Sequence, residues 1–109
     1  MELIDKLLNL ASDLDDYLKG TIQDDIILRT YFSDTDKDIK TITANLGQFF
    51  DDTDIREKDD TYRAMQENEM KKLIHLLRLG QLDQAKKINF LYESEIEYQW
   101  RTMPYNKAL

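Results

Sequence analysis

Acidic residues precede basic residues by four positions unusually often along this 109-residue chain. Ten of its 15 Lys and Arg residues have an acid four positions earlier, as in Asp15 before Lys19 and Asp25 before Arg29. Random placement would give about three such pairs, and acid before base is the order that stabilises an α-helix. Since this spacing has no corresponding role on a strand, it predicts a mostly helical chain.

The use of β-branched and turn-forming residues supports the same prediction. Valine is absent, Leu and Ile together supply 25 residues, and there are three Gly and one Pro. A strand-rich domain of this length normally contains Val and frequent turn residues. The length itself suits one domain. We therefore predict a single all-α domain over residues 1–109, built as a small bundle of four or five helices.

Apolar spacing and capping residues divide the chain into helical segments. The first apolar stripe runs from Leu3 to Leu18 and ends at Gly20, after which Thr21 and Asp24 are predicted to cap a second helix. That second segment, residues 22–32, is rich in Ile and aromatic residues and is the one stretch that also suits a strand. Capping residues at 33–36 predict a third helix, and those at 51–54 predict a long fourth helix ending near Leu79.

Gly80 is predicted to be the turn of a C-terminal αα-hairpin. Residues 79–85 resemble the turn of a tetratricopeptide-type helical hairpin, but the chain holds one such unit and no second copy at the expected period. The last helix is expected to stop before Pro104. Its apolar stripe consists of Leu82, Ala85, Ile88, Tyr92 and Ile96.

Several catalytic chemistries lack the residues that they need. The absence of Cys removes disulfides, thiolate catalysis and Cys-containing zinc sites. His75 is the single histidine and lies in an apolar turn, which favours a packed structural role over a general base. The three glycines are too far apart for a phosphate-binding loop. We therefore expect no catalytic residues, no cofactor and no metal, and hence no enzymatic activity.

Two aspartate patterns leave alternatives open. Asp34, Asp36 and Asp38 alternate as at the start of an EF-hand calcium loop, but Ile39 stands where that loop needs Gly, so helix capping is favoured. Pairs of aspartates three residues apart suggest a Mg²⁺-dependent all-α nucleotide pyrophosphohydrolase, a family whose Glu-x-x-Glu motif the chain lacks. Those pairs are Asp13 with Asp16 and Asp51 with Asp54.

The acidic runs also suggest a surface that imitates nucleic acid. The net charge is −7, which disfavours direct binding of DNA or RNA. Closely spaced carboxylates can instead present phosphate-like charge to a nucleic-acid-binding protein, and we keep this mimicry as an alternative function. The candidate acidic face consists of Asp13, Asp15, Asp16, Asp51, Asp52 and Asp54.

Large C-terminal side chains that fall outside the last apolar stripe are the candidate partner-binding residues. They are Tyr98, Trp100, Met103 and Tyr105. Aromatic side chains and Met are enriched in protein interfaces, so we predict a homodimer formed through this segment. Together with the missing catalytic residues, this indicates a non-catalytic protein–protein interaction protein, such as a small adaptor, inhibitor or immunity factor.

The apolar runs are too short to span a membrane. None approaches the ~20 residues that a transmembrane helix needs. The first residues, Met1 and Glu2, lack the basic start of a signal peptide. We therefore expect a cytoplasmic protein with no membrane partner.

Overall fold

A computed structural model describes residues 2–94 of the chain, which form α-helices and contain no strand. This confirms the all-α prediction and the helical bundle, although the described part has six helices rather than four or five. The helices are α1 Leu3–Leu18, α2 Asp24–Tyr31, α3 Lys37–Asp51, α4 Thr53–Lys58, α5 Asp60–Arg78 and α6 Leu82–Ala85.

The most extensive helix packing joins α1 to α5. The buried face of α1 repeats at helical spacing through Leu7, Leu10 and Leu14, each at most 2% exposed. On α5 the buried side chains concentrate in the C-terminal half, where residues 72–77 are all buried. Each fully buried Leu or Ile contributes roughly 1.5–3 kcal/mol relative to an exposed one, so this pair forms the centre of the core.

The ends of α1 and α3 follow the expected capping chemistry, whereas the start of α2 does not. Gly20 has a φ of +80° and terminates α1, as predicted. The Asp36 carboxylate accepts hydrogen bonds from two backbone N–H groups in the first turn of α3. The prediction that Thr21 caps α2 is wrong. Its hydroxyl donates to the Asp16 carbonyl at 3.0 Å, because that carbonyl lies at the open end of α1.

The predicted long fourth helix is instead two helices. The short α4 ends at Lys58, and α5 begins after Asp59, whose carboxylate accepts from the Tyr62 backbone N–H at 2.9 Å. Asp52 stands between α3 and α4, and its side chain makes no capping hydrogen bond to α4. The Asp59 side chain thus caps α5, whereas the Asp52 side chain points to the interior.

The chain turns at Gly80 as predicted, but the helix after the turn is short. Gly80 has a φ of +72°, and α6 ends at Ala85. The expected helix through Tyr92 is wrong, because residues 88–94 contain no helix and Phe90 adopts a φ of +68°. Ile88 and Phe90 are both buried, so this irregular segment belongs to the core. Ile96 lies outside the described residues.

Candidate functional site

Two candidate aspartates of α1, Asp13 and Asp15, are engaged with neighbouring side chains. Asp13 accepts a hydrogen bond from the Tyr31 hydroxyl at 2.6 Å, which ties α1 to α2. Asp15 forms an ion pair with Lys19 at 3.1 Å and lies 3.7 Å from Arg78 of α5. Asp16 is half-buried near the end of α1. The carboxylates of Asp13 and Asp15 therefore have partners within the fold.

The other three members of the predicted acidic face lie around the α3–α4 junction. Asp51 and Asp54 are exposed, and neither side chain makes a hydrogen bond or ion pair with another residue of the 2–94 range. Asp52 is only 6% exposed. Its inclusion in a solvent-facing acidic surface is corrected, because its carboxylate is directed into the protein by three side-chain donors.

Those donors converge on one oxygen. Asp52 Oδ2 accepts from Gln48 Nε2 at 2.9 Å, from the Tyr62 hydroxyl at 2.7 Å and from Gln66 Nε2 at 2.9 Å. Burial alone would raise the pKa of Asp52, but these hydrogen bonds, aided by the positive charge of Arg56, hold it below its ordinary value. Burial and the Asp52 charge raise the pKa of Tyr62 to about 12.

Arg56 extends this polar network across α3, α4 and α5. Its Nη1 donates to Gln66 Oε1 at 2.8 Å and also to the Phe49 carbonyl. The guanidinium carbon lies 3.8 Å from the centre of the Phe49 ring, a cation–π arrangement. Because Asp52, Arg56 and Gln66 are all buried, their arrangement stabilises the junction of three helices.

The same network holds the irregular C-terminal segment against α5. Gln66 Nε2 donates to the Phe90 carbonyl at 2.8 Å. Four residues further along the segment, the Ser94 backbone N–H donates to Glu69 Oε1 at 2.7 Å. The predicted partner-binding residues follow this point in sequence and lie outside the described residues, so their role stays a prediction. They are Tyr98, Trp100, Met103 and Tyr105.

An open apolar groove lies between α2 and α3, and we call it the α2–α3 groove. Its volume is about 550 Å³. Phe32, at the end of α2, is 61% exposed, and a Cβ built on Gly47 would meet no atom within 4 Å. The residues lining it are Leu28, Arg29, Phe32, Ser33, Thr43, Ala44, Gly47 and Asp51.

The sequence alone does not reveal this groove. Gly47 lies inside α3, which continues through it to Asp51. The available signal was a glycine inside an amphipathic helix, where it is unfavourable by about 1 kcal/mol relative to Ala. A second signal was the aromatic Phe32 directly after the α2 stripe. Neither signal reveals which helix faces which, so the groove required the tertiary structure.

The candidate metal-binding residues have structural roles. Asp34 forms an ion pair with Lys6 at 3.0 Å, and Asp38 forms one with Lys86 at 2.9 Å. Asp36 caps α3. Across residues 2–94 there is no group of three or more His, Asp or Glu side chains placed to hold a metal ion.

His75 is fully buried in α5, between apolar neighbours. Burial lowers its pKa, and the positive charge of Arg78 lowers it further. Burial thus favours the neutral imidazole, as expected for a packed histidine. Its position in the core agrees with the structural role that the sequence favoured.

Comparisons with protein families, curated proteins and solved structures found no match to this chain. Within the part of the chain that the structure describes, no helix is both long and apolar enough to cross a membrane.

Proposed function

We propose that this protein is a non-catalytic binding protein that holds a segment of another protein in the α2–α3 groove. The observation that carries the proposal is an open apolar groove with the exposed Phe32 on one wall and the unfilled space above Gly47 on the other. A groove of this size suits two or three apolar side chains of a partner segment. An amphipathic helix laid into such a groove is a common mode of recognition.

Charge at the groove favours a basic partner. Asp51 is exposed at one end and has no ion pair among residues 2–94, so its carboxylate is available to a Lys or Arg of the partner. Arg29, also on the groove, is held by Asp25 at 2.7 Å. Residues 1–60, which include the whole groove, carry a net charge of −9. Such a field speeds the association of a basic segment and repels an acidic one.

We favour this function over nucleic-acid mimicry because the six candidate aspartates do not share one environment. Asp52 is buried, Asp13 binds Tyr31, and Asp15 is paired with Lys19. Mimicry needs an exposed and regular row of charges.

The rival enzyme hypothesis is tested by incubation with nucleoside triphosphates and Mg²⁺. We expect no turnover, and turnover lost in Asp13→Ala would replace our proposal.

Self-association is a separate part of the proposal. Tyr98, Trp100, Met103 and Tyr105 are the residues proposed to pair two copies, with Leu91 and Tyr92, both more than half exposed, leading into them. Sedimentation equilibrium at micromolar concentration is expected to show a dimer that Trp100→Ala weakens. A 13.0 kDa species unaffected by that substitution would contradict the dimer.

The groove is tested with peptides selected from a displayed library of helical sequences. We expect enrichment of peptides with apolar residues at helical spacing and flanking Lys or Arg. Amide chemical-shift changes on their addition are expected around Phe32 and Gly47. Gly47→Trp places a large side chain in the groove and is expected to weaken binding at least about tenfold.

The matched control is Ile26→Trp, an exposed α2 position that does not line the groove. This variant is expected to bind as the unmodified protein does. Charge reversal by Asp51→Lys is expected to weaken the binding of basic peptides and to leave the binding of neutral peptides unchanged. Selected peptides that bind Gly47→Trp and the unmodified protein equally would refute the groove as the binding site.

A further inference from the structure

A second cleft, the α1–α4 cleft, lies between the end of α1, the α1–α2 loop and α4. Its volume is about 550 Å³, within the range of small-molecule sites. It shares no lining residue with the α2–α3 groove. The residues lining it are Tyr17, Leu18, Gly20, Ile22, Gln23, Asp24, Phe49, Thr53, Arg56 and Glu67.

Arg56 contributes a buried cation with unused donors to this cleft. A guanidinium has five N–H groups. Three N–H groups of Arg56 donate hydrogen bonds, to the Phe49 carbonyl, to Gln66 Oε1 and to the Thr53 hydroxyl. The Nε–H and one Nη2–H have no acceptor among residues 2–94, and no carboxylate of that range lies within 4.0 Å. Arg56 is nonetheless 92% buried, since its exposure is 8%.

The rest of the cleft combines apolar walls with one further polar group. Leu18 and Ile22 are partly buried against the core. The Tyr17 hydroxyl makes no hydrogen bond to any other described residue. Burial raises the pKa of Tyr17, while the charge of Arg56 lowers it and that of Asp24 raises it, so both charges act on the Tyr17 hydroxyl.

We propose that the α1–α4 cleft binds a monocarboxylate with a small apolar body, with the carboxylate on Arg56 and the body against Leu18 and Ile22. Unused guanidinium N–H groups match a carboxylate in both charge and geometry. The carboxylates of Asp24 and Glu67, which also line the cleft, disfavour ligands with two or more negative charges such as phosphates and dicarboxylates. The ligand class is therefore a free apolar acid or the C-terminal residue of an apolar peptide.

The experiment is a titration of the isotope-labelled full chain, monitored by amide chemical shifts. The probe is 3-phenylpropionate, and the matched control ligand is 3-phenylpropanol, which keeps the apolar body and loses the charge. We expect saturable shifts around Ile22 and Arg56 with the acid. The alcohol is expected to bind at least about tenfold more weakly, since it forms no charge-assisted hydrogen bond.

Two Trp substitutions separate the cleft from other surfaces. Ile22→Trp fills the cleft and is expected to reduce binding of the acid at least about tenfold. Ile55→Trp, at an exposed α4 position beside Arg56 that does not line the cleft, is expected to leave it unchanged. Both variants leave the Arg56 hydrogen bonds in place, so loss of binding does not require loss of the fold, which circular dichroism verifies.

Peptide probes distinguish the two sources of the carboxylate. The peptide probe is a short peptide that ends in Leu-Phe and has a free C-terminus. Tighter binding of this peptide than of 3-phenylpropionate identifies peptide ends as the ligand. Tighter binding of 3-phenylpropionate identifies free acids. The amidated peptide is expected not to bind. The proposal is overturned if acid and alcohol bind equally, if Ile22→Trp binds as the unmodified protein does, or if neither acid nor free peptide gives shifts at millimolar concentration.

Discussion

The Tyr62 hydroxyl donates to the Asp52 carboxylate at 2.7 Å and joins the first turn of α5 to the residue between α3 and α4. The same carboxylate oxygen accepts from Gln48 and Gln66. Hydrogen bonds to an ionised acceptor are stronger than neutral ones, and they offset the cost of burying the charge. This contact therefore ties α5 to the junction between α3 and α4.

Removal of the Tyr62 hydroxyl is expected to destabilise the fold. Tyr62→Phe leaves the ring in place and removes one donor to Asp52, which lowers the free energy of unfolding by about 1–3 kcal/mol. Urea unfolding followed by circular dichroism measures the change. The control is Tyr92→Phe, at a position 61% exposed, and it is expected to have no measurable effect. Equal stability of the two variants would contradict a structural role for the Tyr62–Asp52 contact.

Stability is expected to fall in acid, and part of the loss is assigned to Asp52. Its pKa in the folded protein lies below the ordinary value of 3.8, since hydrogen bonds outweigh the opposing effect of burial. The ionised form therefore stabilises the fold above that ordinary value, and the contribution is lost as the pH falls through the folded pKa. The pKa of Asp34 is lowered too, first by the hydrogen bond from the Asp36 backbone N–H and then by Lys6. Protonation of Asp34 in acid is therefore also expected to reduce stability.

Asp52→Asn isolates the Asp52 contribution. This variant is expected to be less stable at neutral pH and to lose less further stability on acidification, because Asn cannot be protonated there. Urea unfolding of both proteins is measured at intervals of about one pH unit between neutral pH and pH 3. The measurements give the slope of the free energy of unfolding against pH for each protein. Parallel curves would show that Asp52 does not contribute to the acid sensitivity.

The charge spacing correctly predicted a mostly helical chain, although few of its ion pairs form. Of the ten acid–base pairs at spacing four, Asp15–Lys19 and Asp25–Arg29 are ion pairs in the described part of the chain. Asp36 and Asp59 instead cap the helices that they precede. The pattern is informative because helical periodicity selects the spacing, whatever bonds the individual side chains make.

The C-terminal segment could not be predicted from its own pattern. Leu82, Ala85, Ile88 and Tyr92 follow helical spacing, yet the helix ends at Ala85. The Phe90 carbonyl, which a helix would bond internally, is held by Gln66 of α5. Such tertiary contacts override local propensity, and they link residues more than twenty positions apart in sequence.

The burial of Asp52 could not be predicted from the sequence, for a related reason. It stands in a run with Asp51 and Asp54, which are exposed, and nothing local separates the three. The signal lies on α5, where Tyr62, Gln66 and Glu69 occur at helical spacing on one face. Polar side chains at this spacing indicate buried hydrogen-bonding partners, but they do not identify those partners.

Loss of the α3 cap is expected to cost about 1 kcal/mol of stability. In Asp36→Ala the backbone N–H groups of Asp38 and Ile39 lose the acceptor that they contact at 2.9 and 3.1 Å. Thr35→Ala, at the exposed neighbouring position, is the control and is expected to change stability by less than about 0.5 kcal/mol. Thermal unfolding of both variants measures the difference, and a similar effect of the two would contradict the cap.

Gly47→Ala is expected to stabilise the protein, by about 0.5–1 kcal/mol, since it removes a flexible residue from the interior of α3. The added methyl group meets no atom within 4 Å, so no packing cost opposes the gain. Gly80→Ala is the opposing case. Its methyl group also finds room, 3.8 Å from the Ile4 side chain, but the φ of +72° is unfavourable for Ala, and stability is expected to fall. Urea unfolding compares both variants with the unmodified protein. A destabilising Gly47→Ala would mean that the space above α3 is filled in the free protein and that the α2–α3 groove is not open to a partner.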